Sequence, residues 1–353
     1  MGLKILHSAD WHLDSPFGGF PEHQRAFLRE AQKTIPGKIA DLCRRENCDL
    51  VLLAGDLFDG APSRDTVENL KTELARCAVP VLISPGNHDF VAPGGPWTED
   101  WPENVFIFKG ALESVTIGAL DCRIYGAGYR SMDCPALLKG FQAQGPETYK
   151  IALLHGDPMQ KNSPNCPISA SQVRASGLNY LALGHIHKAG AFRAGETLCA
   201  WPGCPMGRGW DETGDKGVCI VTVDKEVTVN AVSLDLPRFH DLAVDIGSNA
   251  AEAVEQALPA APGDDFYRVS LTGTGEADLS SLKAQFADIP NLELLDKTQP
   301  PVDLWAGIGE DSLEGVYFQK LKQAMDEDPA SAEIIAMAAE ISRRILEGRE
   351  VNL

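Results

Sequence analysis

No run of apolar residues in this chain approaches the roughly 18 that a membrane-spanning helix requires, so the sequence excludes a membrane span. Its nine cysteines are scattered, and none stands in the Cys-x-x-Cys spacing of zinc or redox sites. The first strand-like run begins at Leu3, so no secretory leader is expected. With an odd number of cysteines, that start points to reduced thiols and a cytoplasmic chain. Internal repeats and low-complexity tracts are also missing. Positive charge is scarce: 31 basic against 50 acidic side chains give a net charge of −19. Such a balance, taken over the whole chain, speaks against a polyanionic partner. Its distribution tempers that conclusion. Residues 1–235 carry 28 acidic and 22 basic side chains (−6), whereas residues 236–353 carry 22 and 9 (−13). The acidity lies mainly in the second part.

What the chain does have is a repeated pattern. Short apolar runs stop at residues able to bind metal: Leu3 to Leu6 before His7-Ser8-Ala9-Asp10-Trp11-His12, and Leu50 to Ala54 before Gly55-Asp56. Three more follow, Val79 to Ser84 before Gly86-Asn87-His88-Asp89, Ile151 to Leu154 before His155-Gly156, and Tyr180 to Leu183 before Gly184-His185-Ile186-His187. An apolar run of this length bounded by glycine reads as a buried strand. In open α/β sheets, ligands collect at the carboxyl ends of such strands. Five of the eight histidines (12, 88, 155, 185 and 187) fall in these junctions. His23 and His240 lie outside them and read as structural, and His7 reads as structural or as a support for the first junction.

Around these runs the spacing predicts helices within Gln24 to Cys43 and Thr66 to Ala78, the second capped by Ser63 or Asp65. After Ala189 the pattern turns to strands, Thr197 to Trp201, Val218 to Val223 and Val227 to Leu234, around the glycine-rich stretch Pro202 to Lys216. A first α/β domain over 1–235 is expected. A small α+β domain follows over 236–298, with strands at Leu242 to Ile246, Phe266 to Leu271 and Leu292 to Leu295 and helices at Ala250 to Leu258 and Leu279 to Phe286. Residues 299–353 read as a connection, Gln299 to Gly309, and two helices, Leu313 to Met325 and Ala330 to Leu346. The second helix carries an apolar face of Ile334, Ile335, Met337, Ala338, Ile341 and Ile345, which suits either internal packing or a partner.

Asp10, His12, Asp56, Asn87, His155, His185 and His187 offer oxygen and imidazole donors without thiolate. That donor set favours divalent cations, Mn²⁺ foremost, with Fe²⁺, Zn²⁺ or Mg²⁺ as alternatives. Seven ligands exceed the needs of one ion, so two are implied, and a lone carboxylate such as Asp56 can bridge them. Two ions about 3.5–4 Å apart can hold a hydroxide and clamp an in-line displacement. Arg208 reads as a solvated loop charge or as a phosphate contact.

The order Asp-x-His, Gly-Asp-x-x-Asp, Gly-Asn-His-Asp, His-Gly and Gly-His-x-His resembles the calcineurin-like metallophosphoesterases. The wording of His7 to Phe17, Gly55 to Asp59 and Tyr180 to His187 resembles the SbcD-type DNA repair exonucleases, and the Leu-Asp-Ser-Pro-Phe extension with Pro202 to Gly217 resembles their YhaO subgroup. The resemblance covers 1–235 well and the remainder loosely. It implies a sandwich of two mixed sheets flanked by helices, followed by a small α+β capping domain and C-terminal helices. One metal would take Asp10, His12, Asp56 and His187, and the other Asp56, Asn87, His155 and His185. It makes His88 the catalytic histidine, with Asp89 orienting it. Asp59 departs from archaeal and eukaryotic relatives, which carry a histidine there. The implied activity is hydrolysis of DNA phosphodiesters, exonucleolytic or endonucleolytic. The implied partners are DNA, a coiled-coil ABC-type (SbcC-like) ATPase on the C-terminal helices, and a second copy of the chain. Two other readings stand beside it: a phosphoesterase for a small nucleotide-like substrate, and a non-catalytic scaffold for an ATPase.

Overall fold

The computed structural model describes residues 2–300 and 303–348. Of the connection expected over Gln299 to Gly309, Pro301 and Val302 lie outside the described residues, as do residues 349–353 of the terminal segment. The chain divides into two compact units, one of residues 1–241 and 262–268, the other of 242–261 and 269–353.

The first unit opens with strands β1 (Leu3–Ser8), β2 (Leu50–Leu53), β3 (Val81–Ile83) and β4 (Val105–Ile107). Then come β5 (Glu113–Ile117), β6 (Cys122–Gly126), β7 (Tyr149–His155), β8 (Tyr180–Gly184), β9 (Gly190–Ala194) and β10 (Thr197–Trp201). Strands β11 (Gly217–Val223) and β12 (Val227–Ser233) complete two six-stranded sheets, ordered β12-β11-β1-β2-β3-β4 and β5-β6-β7-β8-β10-β9. Both are mixed: β1 to β4 run parallel with β11 antiparallel beside β1, and β6, β7, β8 and β10 run parallel between two antiparallel edges.

Alternation of side chains explains why the apolar runs are unbroken. Ile5, Leu50 and Leu52 from one sheet meet Ile151, Leu153 and Tyr180 from the other in a shared core. Their neighbours Leu6, Val51 and Leu53 face outward against helices α1 (Glu22–Lys33), α2 (Ile35–Arg45) and α3 (Arg64–Ala75). Leu154, Leu181 and Leu183 pack on the far side of the second sheet, against Val173 of α4 (Ala170–Ala175). A strand buried on both faces must be apolar at every position, and each fully buried aliphatic residue contributes about 1.5–3 kcal/mol.

The periodicity over Gln24 to Cys43 resolves into two helices parted at Thr34, just before Pro36. Pro36 has no N–H to give and sits in the first turn of α2, where none is required. Ser63 caps α3 by accepting from the Thr66 amide, and Asp65 lies in its first turn. The second unit holds the greater part of the three-stranded sheet β13-β14-β15 (Phe239–Asp245, Phe266–Thr272 and Leu292–Asp296) and helices α5 (Ala250–Ala257) and α6 (Leu279–Gln285). Helices α7 (Leu313–Glu327) and α8 (Ala332–Leu346) pair with each other, with Arg343 buried over the Phe318 ring. Ile334, Met337 and Ile345 of the expected apolar face are exposed. Among the described residues no helix is long and apolar enough to cross a membrane.

Candidate metal centre

Because β1, β2 and β3 run parallel, their carboxyl ends fall on one edge, and β7 and β8 bring theirs to the same place. The junctions lock to each other by main chain: the Asp10 amide donates to Gly55 O (3.0 Å) and the His12 amide to Asp56 O (3.0 Å). The His185 amide donates to the Asp10 carboxylate (2.9 Å) and the His88 amide to Asp56 Oδ1 (2.9 Å). Asp10, His12, Asp56 and His185 all adopt positive φ, from 47° to 97°. Non-glycine residues hold that conformation at a cost of order 1–3 kcal/mol each, and such strain clusters at functional sites. Close approach explains two of the glycines: a Cβ at Gly86 would lie 2.2 Å from Asp56 Oδ1, and one at Gly184 would lie 2.0 Å from Ala54 O.

Three groups of donor atoms converge: Asp10, His12 and His187; His12, Asp56 and His88; and Asp10, Asp56 and His155, the atoms of each within 4.8 Å of one another. Asn87 joins them through Oδ1, 3.0 Å from His155 Nε2. His185 stacks edge-on to His155 with ring centroids 5.1 Å apart but belongs to none of these groups. His155 gives its Nδ1–H to Ala54 O (2.8 Å), which turns Nε2 inward beside Asp56 Oδ2 (3.3 Å). His187 Nε2 faces His12 Nε2 at 3.1 Å. Two imidazole nitrogens this close need a proton or a cation between them. His12 Nδ1 is buried with only the Asp59 carboxylate near it, at 3.6 Å. The buried carboxylates of Asp10 and Asp56 have imidazoles as their ion-pair partners. Burying such charge is costly unless it is matched, and bound cations would match it. The residues present therefore fit a divalent metal pair.

Electrostatics follow from this crowding. Burial raises the Asp10 carboxyl above the ordinary range, outweighing the nearby imidazoles. Burial acts the same way on Asp56, but His155 and His12 overcome it and hold that carboxyl low. His88 is the open member of the set, with 42% of its side chain exposed. Its Nδ1 lies 3.3 Å from Asp59 Oδ1, and this hydrogen bond raises its pKa above the ordinary imidazole value.

The resemblance assigns the orienting role to Asp89, and the geometry corrects it. Asp89 is buried and accepts from the amides of Asp56, Leu57, Phe58 and Gly86, so its carboxylate braces the two loops that carry Asp56 and His88. Asp59 is the carboxylate that meets His88. Glu212 is a second residue that sequence reasoning missed. It is buried, its Oε1 accepts from His187 Nδ1 (2.5 Å), and it also takes the Arg208 guanidinium (3.0 Å). Burial pushes its carboxyl up, yet His187 and Arg208 outweigh burial and hold it well below the usual carboxylate range. A carboxylate fixing the tautomer of a ligating histidine is a recurrent support in metal sites. The only hint in the sequence was its place in the glycine-rich stretch after β10. His7 is buried between Tyr180 Oη (2.8 Å) and Leu183 O (3.0 Å), and burial lowers its pKa to about 3, so it is a neutral structural group. His240 pairs with Asp265 at 3.0 Å, outside the donor groups.

Residues 3–189 match the family model for calcineurin-like phosphoesterase. The chain is 35% identical over 258 residues to the uncharacterized metallophosphoesterase YhaO of Bacillus subtilis, covering 68% of this chain and 61% of that protein. It thus spans about three fifths of that relative's length. It is also similar to SbcD of the nuclease SbcCD: 22% identical in Staphylococcus epidermidis, over 76% of this chain and 79% of the relative, and 26% in Bacillus subtilis, over 62% and 66%. With two mixed sheets, clustered Asp, His and Asn donors and this match, the chain belongs to the calcineurin-like phosphoesterases, hydrolases that work with a dinuclear metal centre.

Proposed function

We propose that this protein is a metal-dependent phosphodiesterase acting on DNA, foremost as an exonuclease. The observation that carries the reading is one exposed imidazole, His88, standing over a buried set of oxygen and nitrogen donors. Asp10, His12, Asp56 and His187 would hold one cation and Asp56, Asn87, His155 and His185 the other, Mn²⁺ being the expected ion. When bound, the pair would lower the pKa of a water and neutralise charge on the phosphoryl oxygens.

The chain's own residues do the rest. Asp59 holds His88 by Nδ1, so its Nε2 is left to protonate the leaving oxygen. Glu212 holds both His187 and Arg208. Arg208 lies 3.2 Å from His187 Nδ1, where its remaining N–H groups can contact a phosphoryl oxygen. The DNA assignment draws on the similarity to SbcD of the nuclease SbcCD. An SbcC-like ATPase belongs to the same proposal, docking on α7 and α8, where Leu313, Ile334, Met337, Ile345 and Leu346 are exposed. Residues 236–298 would act as the capping element.

The test is hydrolysis with Mn²⁺ of linear duplex DNA, single-stranded DNA and a small phosphodiester, each repeated with EDTA and with His88→Ala. Cleavage of DNA that EDTA abolishes and the variant loses is the expected result. Activity confined to the small ester would favour the nucleotide-like substrate instead.

A further inference from the structure

We propose that two cavities flank the metal centre, each shaped to receive one nucleoside of an acyclic phosphodiester, with the leaving nucleoside on the His88 side. This rests on the phosphodiesterase reading above. The imidazoles touch in succession. His88 meets His12 edge-on at 4.8 Å between centroids, His12 meets His187 at 4.9 Å, and Arg208 follows beyond His187. His88 lines one cavity and Arg208 lines another.

The first, about 730 Å³, is walled by His88, Phe90, Ala61, Pro62, Val67 and Arg64. The second, about 540 Å³, is walled by Arg208, Phe17, Gly19, Phe20, Trp210 and Arg268. The Arg268 guanidinium lies 4.3 Å from the Trp210 ring centre. Both volumes fall in the range of small-molecule sites. Each combines apolar or aromatic walls with at least one guanidinium, the surface on which nucleobases stack without sequence preference.

Acidic side chains also border each cavity. Glu68 and Glu99, both paired with Lys71, border the first, and Asp211 borders the second. With charges of both signs set among apolar walls, each cavity suits a base and its sugar. A phosphomonoester or a cyclic diester presents one organic group and fills one cavity. An internucleotide linkage presents two and fills both. His88, as the proton donor, marks the cavity beside it as the one that receives the leaving group.

Two substitutions narrow the cavities separately. Ala61 is exposed on the wall of the first. A Cβ at Gly19 meets no atom within 4 Å and its backbone is not left-handed, so both positions accept a large side chain. With Mn²⁺, kcat/KM is measured for thymidylyl-thymidine, thymidine 5′-(p-nitrophenyl) phosphate and bis(p-nitrophenyl) phosphate. Ala61→Trp and Gly19→Trp should each lower the value for thymidylyl-thymidine about tenfold more than that for the bis-nitrophenyl ester. The thymidine nitrophenyl ester carries one nucleoside, and Gly19→Trp should impair it more than Ala61→Trp. Binding of thymidylyl-thymidine to the metal-free protein, followed by calorimetry, should weaken in both variants. If the wild-type protein cleaves the bis-nitrophenyl ester but the variants treat all substrates alike, the two-cavity assignment falls and the phosphodiesterase reading stands. A wild-type protein that cleaves none of them overturns both.

Discussion

The two sides of the metal centre are held in place by different means. Asp10, Asp56 and His155 are buried and pinned by main-chain groups, the Gly55 and Ala54 carbonyls and the His88 and His185 amides. His88 and His187 are partly open and pinned by single side chains, Asp59 and Glu212. Main-chain bonds come with the strand ends themselves, so the buried side is as rigid as the sheets. A side-chain partner is a separate residue, which a single substitution can remove. The contrast suggests a division of labour: the buried side holds charge and the open side meets substrate.

The strongest way to break this contrast is Asp56→Asn, which takes away the carboxylate shared by two donor groups. Bound Mn²⁺, counted by elemental analysis, should fall below two per chain and phosphodiester hydrolysis should be lost. Next is His88→Ala, expected to lower kcat roughly 10²–10⁴-fold as loss of a general acid does, with metal content unchanged. If metal is lost as well, His88 belongs to the buried side instead. Glu212→Gln should weaken Mn²⁺ binding by about 10–100-fold, seen by calorimetry, because His187 loses its fixed tautomer. Smaller is the effect of the metal on stability. Mn²⁺ at a hundred times its dissociation constant should add about 2.7 kcal/mol, read as a higher unfolding midpoint that EDTA reverses. Asp56→Asn should reduce that shift and His88→Ala should keep it.

Much of this was legible because it is local. A donor that directly follows a doubly buried strand must emerge at that strand's end, whatever the rest of the chain does. Asp10, His12, Asp56, Asn87, His155 and His187 could be placed together for that reason. The strands at β4, β5, β6 and β9 escaped notice: β4, β5 and β9 are short, partly exposed and lie on sheet edges, so their apolar pattern is broken. The helix boundary at Thr34 was hidden because the apolar spacing continues through it. Asp89 misled for a plainer reason. Adjacency in sequence to His88 says nothing about where a carboxylate turns, and four backbone amides draw it the other way.

The amino-acid sequence by itself determined the donors and their delivery to strand ends, since alternation along a buried strand and a glycine stop are properties of a few consecutive residues. Only the tertiary structure decided which carboxylate serves which histidine. Asp59 lies 29 positions from His88, and Glu212 lies 25 from His187. Partners so distant along the chain are chosen by how loops close over the joined sheets, and no local pattern records that closure.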